Sequence, residues 1–165
     1  DRGFLFRGPT DINKTAEFVS AIPNNPSEDL IYLDDADFME IRNLTLTGGQ
    51  SGLHLTGGST DLIAAGLTVH DNTSHGIFLE NGSAFTSLTN ITAYNHALTA
   101  NGVYISTGAG GHIQNLTAWN NNYGLYASAV TTPWWTVSKV CTSPRSSSLM
   151  RWIFQMGRPS SSLSM

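Results

Sequence analysis

The sequence predicts an all-β protein built as a solenoid of about four to five stacked coils. Composition is the first reason: only 12% of the residues are charged and 16 are glycine, and turn-forming and β-branched residues outnumber strong helix formers. The second reason is a pair of sequence phrases that repeat with nearly the same period, about 24 residues. The chain of 165 residues is long enough for one domain with a sizeable core.

The first repeated phrase is a glycine followed by an apolar residue, a ring-bearing residue and another apolar residue. Alternation along a strand predicts that the two apolar positions face the core. The phrase reads SGLHLTGGS at 51–59, HGIFLENGS at 75–83, NGVYISTGA at 101–109 and YGLYASAV at 123–130. The predicted core residues are Leu53, Ile77, Val103 and Leu125, followed by Leu55, Leu79, Ile105 and Ala127.

The second phrase lies between copies of the first and has an asparagine or glycine at its centre. Both residue types tolerate a left-handed backbone, so this position predicts a turn between two short strands. The phrase reads IRNLTLTGG at 41–49, AAGLTVHDN at 64–72, LTNITAYNH at 88–96 and IQNLTAWNN at 113–121. The predicted turn residues are Asn43, Gly66, Asn90 and Asn115. The predicted inward residues are Ile41, Ala64, Leu88 and Ile113, then Leu44, Leu67, Ile91 and Leu116, and then Leu46, Val69, Ala93 and Ala118.

Units of this length cannot bury an apolar face alone, but stacked units with parallel strands can. The segment NITAYNHALTANGVYI at 90–105 shows the pattern well and resembles the parallel β-helix repeats (PbH1-type repeats) of the pectate-lyase-like, or pectin-lyase-like, superfamily. The resemblance covers about residues 30–130 and implies a right-handed coil. It also implies a secreted or cell-surface, often bacterial, protein whose partner is a polysaccharide.

The same resemblance leaves the activity open, because similar coils occur in different kinds of protein. One expectation is a polysaccharide-contacting module, which, if it is an enzyme, is a polysaccharide lyase, a uronate epimerase or a glycoside hydrolase. The alternative is a non-catalytic stalk or adhesin repeat of a large bacterial surface protein. An enzyme needs converging charged groups, whereas a stalk needs only regular ladders.

The two ends of the chain depart from the repeat. Residues 1–30 predict an N-terminal cap or an incomplete first coil, with a short helix within TDINKTAEFVSAI at 10–22 that Thr10 or Asp11 would cap. Residues 31–130 are the predicted β-helix repeats. Residues 131–165 contain no acidic residue and no asparagine, which predicts either a C-terminal cap or an atypical, poorly ordered tail.

Charge and hydropathy argue against several partners. A net charge of −4 disfavours nucleic acid, and the absence of an eighteen-residue apolar run argues against membrane insertion. The single cysteine, Cys141, cannot form an internal disulfide. A chain that begins at Asp1 without a signal-like segment is expected to be a mature or an excised piece of a longer protein, whose flanking coils would be its neighbours.

A column of rings is the predicted carbohydrate-binding surface. His54, Phe78, Tyr104 and Tyr126 follow the repeated glycine by two residues, so they should line one outer face, where sugars can stack on them. Trp119, in the next column, is added to this set. A self-stacking ladder that only stabilises the sheet explains the same rings.

His70, Asp71, Tyr94 and His96 are the predicted catalytic group, because they occupy neighbouring positions on adjacent coils. A histidine could take the proton next to a uronate carboxylate while the tyrosine protonates the leaving oxygen. Polar turn residues at a coil corner are the alternative. The coils contain one basic side chain, Arg42, and no lysine, whereas lyases of the superfamily often use a basic residue.

Acidic residues before the first complete coil predict a calcium site. Asp34, Asp35 and Asp37 concentrate the hard oxygen ligands that calcium prefers. A solvated turn ahead of a strand is the alternative. His75 and Glu80 are not repeated in other coils, and the sequence predicts that both decorate the surface rather than act as acid and base.

Overall fold

A computed structural model describes residues 4–11, 14–21, 27–109, 111–132, 136–143 and 153–156. These residues form a parallel β-solenoid of about four coils and contain no helix, which confirms the predicted fold class. No described segment is a helix that is long and apolar enough to cross a membrane. The strands are β1 (Phe4–Arg7), β2 (Glu17–Val19), β3 (Ile31–Asp34), β4 (Met39–Arg42), β5 (Thr45–Thr47), β6 (Leu53–Thr56), β7 (Leu62–Ala65), β8 (Thr68–His70), β9 (Ile77–Leu79), β10 (Ser83–Tyr94), β11 (Asn101–Ile105), β12 (Gly108–Ala109), β13 (His112–Trp119), β14 (Tyr123–Thr132), β15 (Thr136–Ser143) and β16 (Ile153–Met156).

The strands stack coil on coil in parallel, in the register that the repeats predict. Strands β3, β6, β9, β11 and β14 form one side of the solenoid, which we call the ring face. The second phrase supplies the other strands, including β4, β7, β10 and β13. Leu53 pairs with Ile77, Ile77 with Val103, and Val103 with Leu125. Equivalent side chains of successive coils therefore lie about 5 Å apart.

The inward positions predicted from both phrases are buried, which confirms the assignment of faces. Leu53, Ile77 and Val103 have no exposed surface, and Leu125 is 4% exposed. All twelve inward residues of the second phrase are also in the core. Burial of this apolar column is the main stabilising term of a solenoid whose coils cannot fold singly.

Left-handed residues form the corners, as the turn prediction requires. Asn43, Gly66, Asn90 and Asn115 have φ angles of 55°, 65°, 54° and 56°. The Asn115 Nδ2 group donates a hydrogen bond of 2.8 Å to Asn90 Oδ1, so these asparagine side chains join neighbouring coils. The column combines a favourable backbone conformation with a hydrogen bond between coils.

The repeated glycine of the first phrase is required by close packing. A Cβ atom on Gly52 would lie 2.8 Å from the carbonyl oxygen of Gly76, and one on Gly102 would lie 2.7 Å from that of Gly124. Gly76 is in an equivalent contact with Gly102. These glycines allow one coil to approach the next, and they explain why the glycine is the most regular part of the phrase.

The predicted N-terminal helix is wrong. Glu17–Val19 is strand β2, which pairs in parallel with β5, and the Thr45 amide donates to the Ala16 carbonyl at 2.9 Å. The Phe18 ring packs against Phe6 at a centroid distance of 5.2 Å. Pairing with the next coil therefore outweighs the local capping signal at Thr10 and Asp11.

Parallel pairing also continues past residue 130, where the sequence period ends. Strand β15 pairs with β13, and β16 pairs with β14. Main-chain hydrogen bonds make this pairing, so it does not need the repeated side-chain pattern. Trp134, Trp135 and residues 149–152, which the sequence suggested for a cap, lie outside the described residues.

Candidate functional site

Five rings form a continuous column on the ring face, which we call the face ladder. The predicted members His54, Phe78, Tyr104 and Tyr126 are in contact, with centroid distances of 4.6, 5.2 and 5.2 Å and interplanar angles of 22°, 10° and 40°. Tyr32 extends the column, at 5.2 Å and 80° from His54. Sequence reasoning missed Tyr32 because Leu30 occupies the place of the repeated glycine in the first coil.

The stacking decides which ring surfaces a ligand can reach. Phe78 has His54 on one side and Tyr104 on the other, so its flat faces are covered and its edge points outward. Tyr32 is different, because it stands nearly perpendicular to His54 and its residue is 54% exposed. The interpretation as a stabilising ladder therefore applies to the stacked central rings, and the interpretation as a ligand-binding surface applies to the exposed Tyr32.

His54 lies between two carboxylates that the sequence analysis did not connect to it. Its Nδ1 lies 2.7 Å from Asp29 Oδ2, and its Nε2 lies 3.2 Å from Glu80 Oε1. An imidazole can donate from both nitrogens only when it is protonated. The three residues come from three successive coils, and Asp29 also accepts a hydrogen bond of 2.8 Å from the Ser51 amide.

The electrostatics of this group favour the charged histidine. Burial alone lowers the pKa of His54, but the hydrogen bonds and negative charges of Asp29 and Glu80 outweigh it, so the pKa is raised. Burial raises the pKa of Asp29, but the hydrogen bonds from His54 and Ser51 outweigh that effect and lower it. Because both nitrogens lie against carboxylates, the geometry favours the protonated ring and leaves neither nitrogen open to take a substrate proton.

His75 packs beside the face ladder, and its pKa shifts in the direction opposite to that of His54. Its ring is 5.1 Å from that of Phe78 and 4.9 Å from that of Tyr104, and its Nδ1 accepts a hydrogen bond of 3.0 Å from the Asn101 amide. Burial, and then repulsion by His54, lower the pKa of His75 to about 4. His75 is therefore a neutral, structural member of the ring face near neutral pH.

A second ladder lies at a different corner and contains most of the predicted catalytic group. The rings of His70, Tyr94 and Trp119 stack at 4.7 and 4.4 Å with angles of 9° and 4°. His70 Nδ1 lies 2.7 Å from Asp71 Oδ2 and 3.2 Å from Thr47 Oγ1. Burial, and then the charges of Asp71 and Glu17, raise the pKa of Tyr94. Trp119, predicted to bind carbohydrate, is thus a member of this second ladder and not of the ring face.

His96 is fully buried and separated from the other three predicted catalytic residues. Its Nδ1 accepts a hydrogen bond of 3.3 Å from the Asn72 amide. Asn72 Oδ1 accepts one of 3.0 Å from the Gly49 amide, and Asn121 Oδ1 accepts one of 3.2 Å from the His96 amide. His96 therefore performs in its coil the task that asparagine performs in the coils on either side. We call this set, Asn72, His96 and Asn121, the buried turn ladder.

The predicted catalytic group does not converge on one solvent-facing site. His70, Asp71 and Tyr94 are at the surface corner, whereas His96 faces the interior. The reason is local: Asp71, Asn95 and Asn120 have φ angles of 52°, 57° and 52°, and this left-handed residue turns the next side chain inward. A catalytic role for the three surface residues stays a prediction.

The structure does not assemble the predicted calcium ligands. Among the described residues, no group of three or more His, Cys, Asp or Glu side chains is arranged to hold a metal ion. Asp37 instead accepts hydrogen bonds of 2.9 and 2.7 Å from the amide and hydroxyl of Thr60. These bonds lower the pKa of Asp37. Calcium binding at Asp34, Asp35 and Asp37 stays a prediction without geometric support.

Comparison with known proteins places the fold. A family model described as the right handed beta helix region matches residues 29–141. No curated protein matches the chain, and no solved structure matches it. The matched residues contain both repeated phrases and the strands of the ring face. The chain therefore belongs to the right-handed β-helix region family.

Proposed function

We propose that this protein is a secreted or cell-surface β-helix module that contacts a polysaccharide along its ring face. The single observation that carries the proposal is the face ladder, which ends in the exposed ring of Tyr32 beside the Asp29–His54–Glu80 group. Aromatic surface next to polar groups that can bind hydroxyls is a common composition of carbohydrate sites.

The spacing of the coils supports an extended ligand. Equivalent residues on successive coils repeat about every 4.8 Å, which is close to the length of one sugar unit in an extended chain. The face ladder consists of five rings, one on each of five stacked strands. A polysaccharide that lies along the solenoid axis would therefore stay in step with the coils, with about one sugar for each ring of the ladder.

A row of polar side chains beside the rings provides partners for hydroxyl groups. The register of the strands aligns Asp34, Glu80, Ser106 and Ser128 in this row, and the buried Thr56 lies between Asp34 and Glu80. Ser128 Oγ donates a hydrogen bond of 3.1 Å to the Ser106 carbonyl. The side chain of Glu80 is 31% exposed, so a ligand can reach it.

A structural stalk is the second candidate, and one observation favours it. The central rings stack on one another and the buried turn ladder binds coil to coil, so much of the regular pattern is explained by stability alone. This candidate predicts that no glycan binds the ring face. It also predicts that Tyr32, which is exposed, can be replaced without consequence.

Affinity electrophoresis of the full chain separates the two candidates. Native gels are cast with pectate, alginate, neutral glucans and an amino-sugar polymer, and migration is compared with a polysaccharide-free gel. We expect retardation in at least one gel, weakened by Tyr32→Ala and unchanged by Leu98→Ala, which removes an exposed side chain (77% exposed) from a loop outside the ring face. Unchanged migration of the folded protein in every gel would support the stalk, and a cleared track would show that the protein is an enzyme.

A further inference from the structure

The ring face carries negative charge that basic side chains do not balance. Asp29 and Asp34 flank the face ladder in the first coil and Glu80 flanks it in the third. The sequence contains no lysine or arginine between residues 43 and 138. His54 lies between Asp29 and Glu80 and contacts both carboxylates.

Tyr32 is the part of this face where an aromatic surface and the carboxylates meet. Its ring is edge-on to His54, and the residue is 54% exposed. Tyr32 is joined to two of the carboxylates through His54, which contacts both Asp29 and Glu80. In keeping with this position, desolvation and then the charges of Asp34, Asp29 and Glu80 raise the pKa of its hydroxyl. An exposed tyrosine in a negative field attracts organic cations through both the ring and the charges.

We propose that the ring face selects a glycan that carries protonated amino sugars. The inference rests on the proposed function and specifies its ligand class. The ammonium groups would lie near Tyr32, Asp34 and Glu80, while the sugar rings follow the coil spacing along the face ladder. A polyuronate would place carboxylates against the same carboxylates, and this repulsion disfavours it.

Three oligosaccharides of equal length and linkage test this selection. β-Linked hexasaccharides of glucose, glucosamine and glucuronic acid are titrated into the full chain at mildly acidic pH, where the amine is protonated, and binding is measured by calorimetry. We expect the glucosamine hexamer to bind about tenfold more tightly than the glucose hexamer. Binding of the glucuronic acid hexamer should be the weakest of the three, and added salt should weaken binding of the glucosamine hexamer.

Two charge-neutralising variants separate a local site from general attraction between an acidic protein and a cation. Glu80→Gln removes one charge from the ring face, and Asp61→Asn removes one from an exposed position outside it that has a left-handed φ of 57°, which asparagine tolerates. Glu80→Gln should weaken binding of the glucosamine hexamer about three- to tenfold and that of the glucose hexamer by a smaller factor, because the glutamine amide can still hydrogen-bond hydroxyl groups. Asp61→Asn should change neither by more than about twofold.

Other results of these titrations would contradict either the amino-sugar inference alone or the proposed function as well. Equal binding of the glucose and glucosamine hexamers, or tighter binding of glucuronic acid, would overturn the amino-sugar inference and keep the polysaccharide function. Equal effects of Glu80→Gln and Asp61→Asn would also overturn it, because the attraction would then be general. Binding of none of the three, together with unchanged migration in every polysaccharide gel, would overturn the proposed function itself.

Discussion

The ring face and the buried turn ladder use the same residue type for different purposes. His54, on the ring face, lies between the carboxylates of Asp29 and Glu80, which raise its pKa. His96, in the buried turn ladder, has no exposed surface and accepts a hydrogen bond from the Asn72 amide. The first histidine adds charge to an outer surface, whereas the second replaces an asparagine within a structural column.

The comparison shows that position within the coil decides what a side chain does. In a solenoid, every coil offers the same few positions, and only those facing solvent can carry ligand-specific chemistry. Positions that follow the left-handed residues Asp71, Asn95 and Asn120 point inward and accept hydrogen bonds from main-chain amides. Substitutions at inward and at solvent-facing positions therefore test whether the two kinds of position have these different roles.

Gly76→Ala should have the largest effect, because Gly76 lies between the two regions. An added Cβ atom would meet the carbonyl oxygen of Gly102 and would lie 2.5 Å from His96 Nε2. We expect a loss of about 2–4 kcal/mol in the free energy of unfolding, measured by chemical denaturation. The matched control is Gly82→Ala, where φ is 79° and nothing lies within 4 Å. Its cost should be only that of the backbone conformation, about 1 kcal/mol, and an equal loss at both sites would show that the coils do not pack as described.

His96→Ala should have the next largest effect, since it leaves the Asn72 amide without its acceptor. We expect a loss of about 2 kcal/mol, from the unsatisfied amide and the cavity. His96→Asn should restore most of this stability, because Asn72 and Asn121 make the corresponding bonds in neighbouring coils. Equal losses in the two variants, in the same denaturation experiment, would contradict the structural role of His96.

Acid should weaken the protein through His75. The pKa of this histidine falls from 6.5 in the unfolded chain to about 4 in the fold, so its contribution is complete above about 6.5 and is lost as the pH falls toward about 4. The loss should be about 1–2 kcal/mol, since the ring is only partly shielded from water. His75→Asn, which places there the residue found at position 101 in the next coil, should flatten this part of the stability–pH profile. A variant profile as steep as that of the parent would show that another group causes the acid sensitivity.

The sequence was sufficient for the repeating part of the molecule. Leu53, Ile77 and Val103 were predicted to be buried because two phrases share one period, and Asn43 and Asn90 were predicted as turns because their residue type tolerates the conformation that they adopt. These predictions succeeded because the same local preferences recur in every coil and reinforce one another.

The predictions that were wrong or incomplete concern residues where the repeat is imperfect. Tyr32 and Asp29 belong to a first coil without the glycine phrase, so neither was placed on the ring face. His96 was predicted to face solvent on the assumption that side chains alternate along the strand, but this alternation ends at the left-handed Asn95. Strand β2 formed where the local signal favours a helix, since pairing with β5 depends on residues far away in the sequence.

Glu80→Gln should have the smallest effect on stability, but it should clearly change the pKa of His54. The pKa of His54 is raised in the fold, so its stabilising contribution is present below its unfolded value of 6.5 and is lost as the pH rises through the folded value. Neutralising Glu80, which is partly exposed, should cost below about 1 kcal/mol at mildly acidic pH and lower the pKa of His54, measured by NMR titration of the ring protons. Asp61→Asn, remote from His54, is the control and should leave that pKa unchanged. If Glu80→Gln also leaves it unchanged, Asp29 alone raises the pKa of His54.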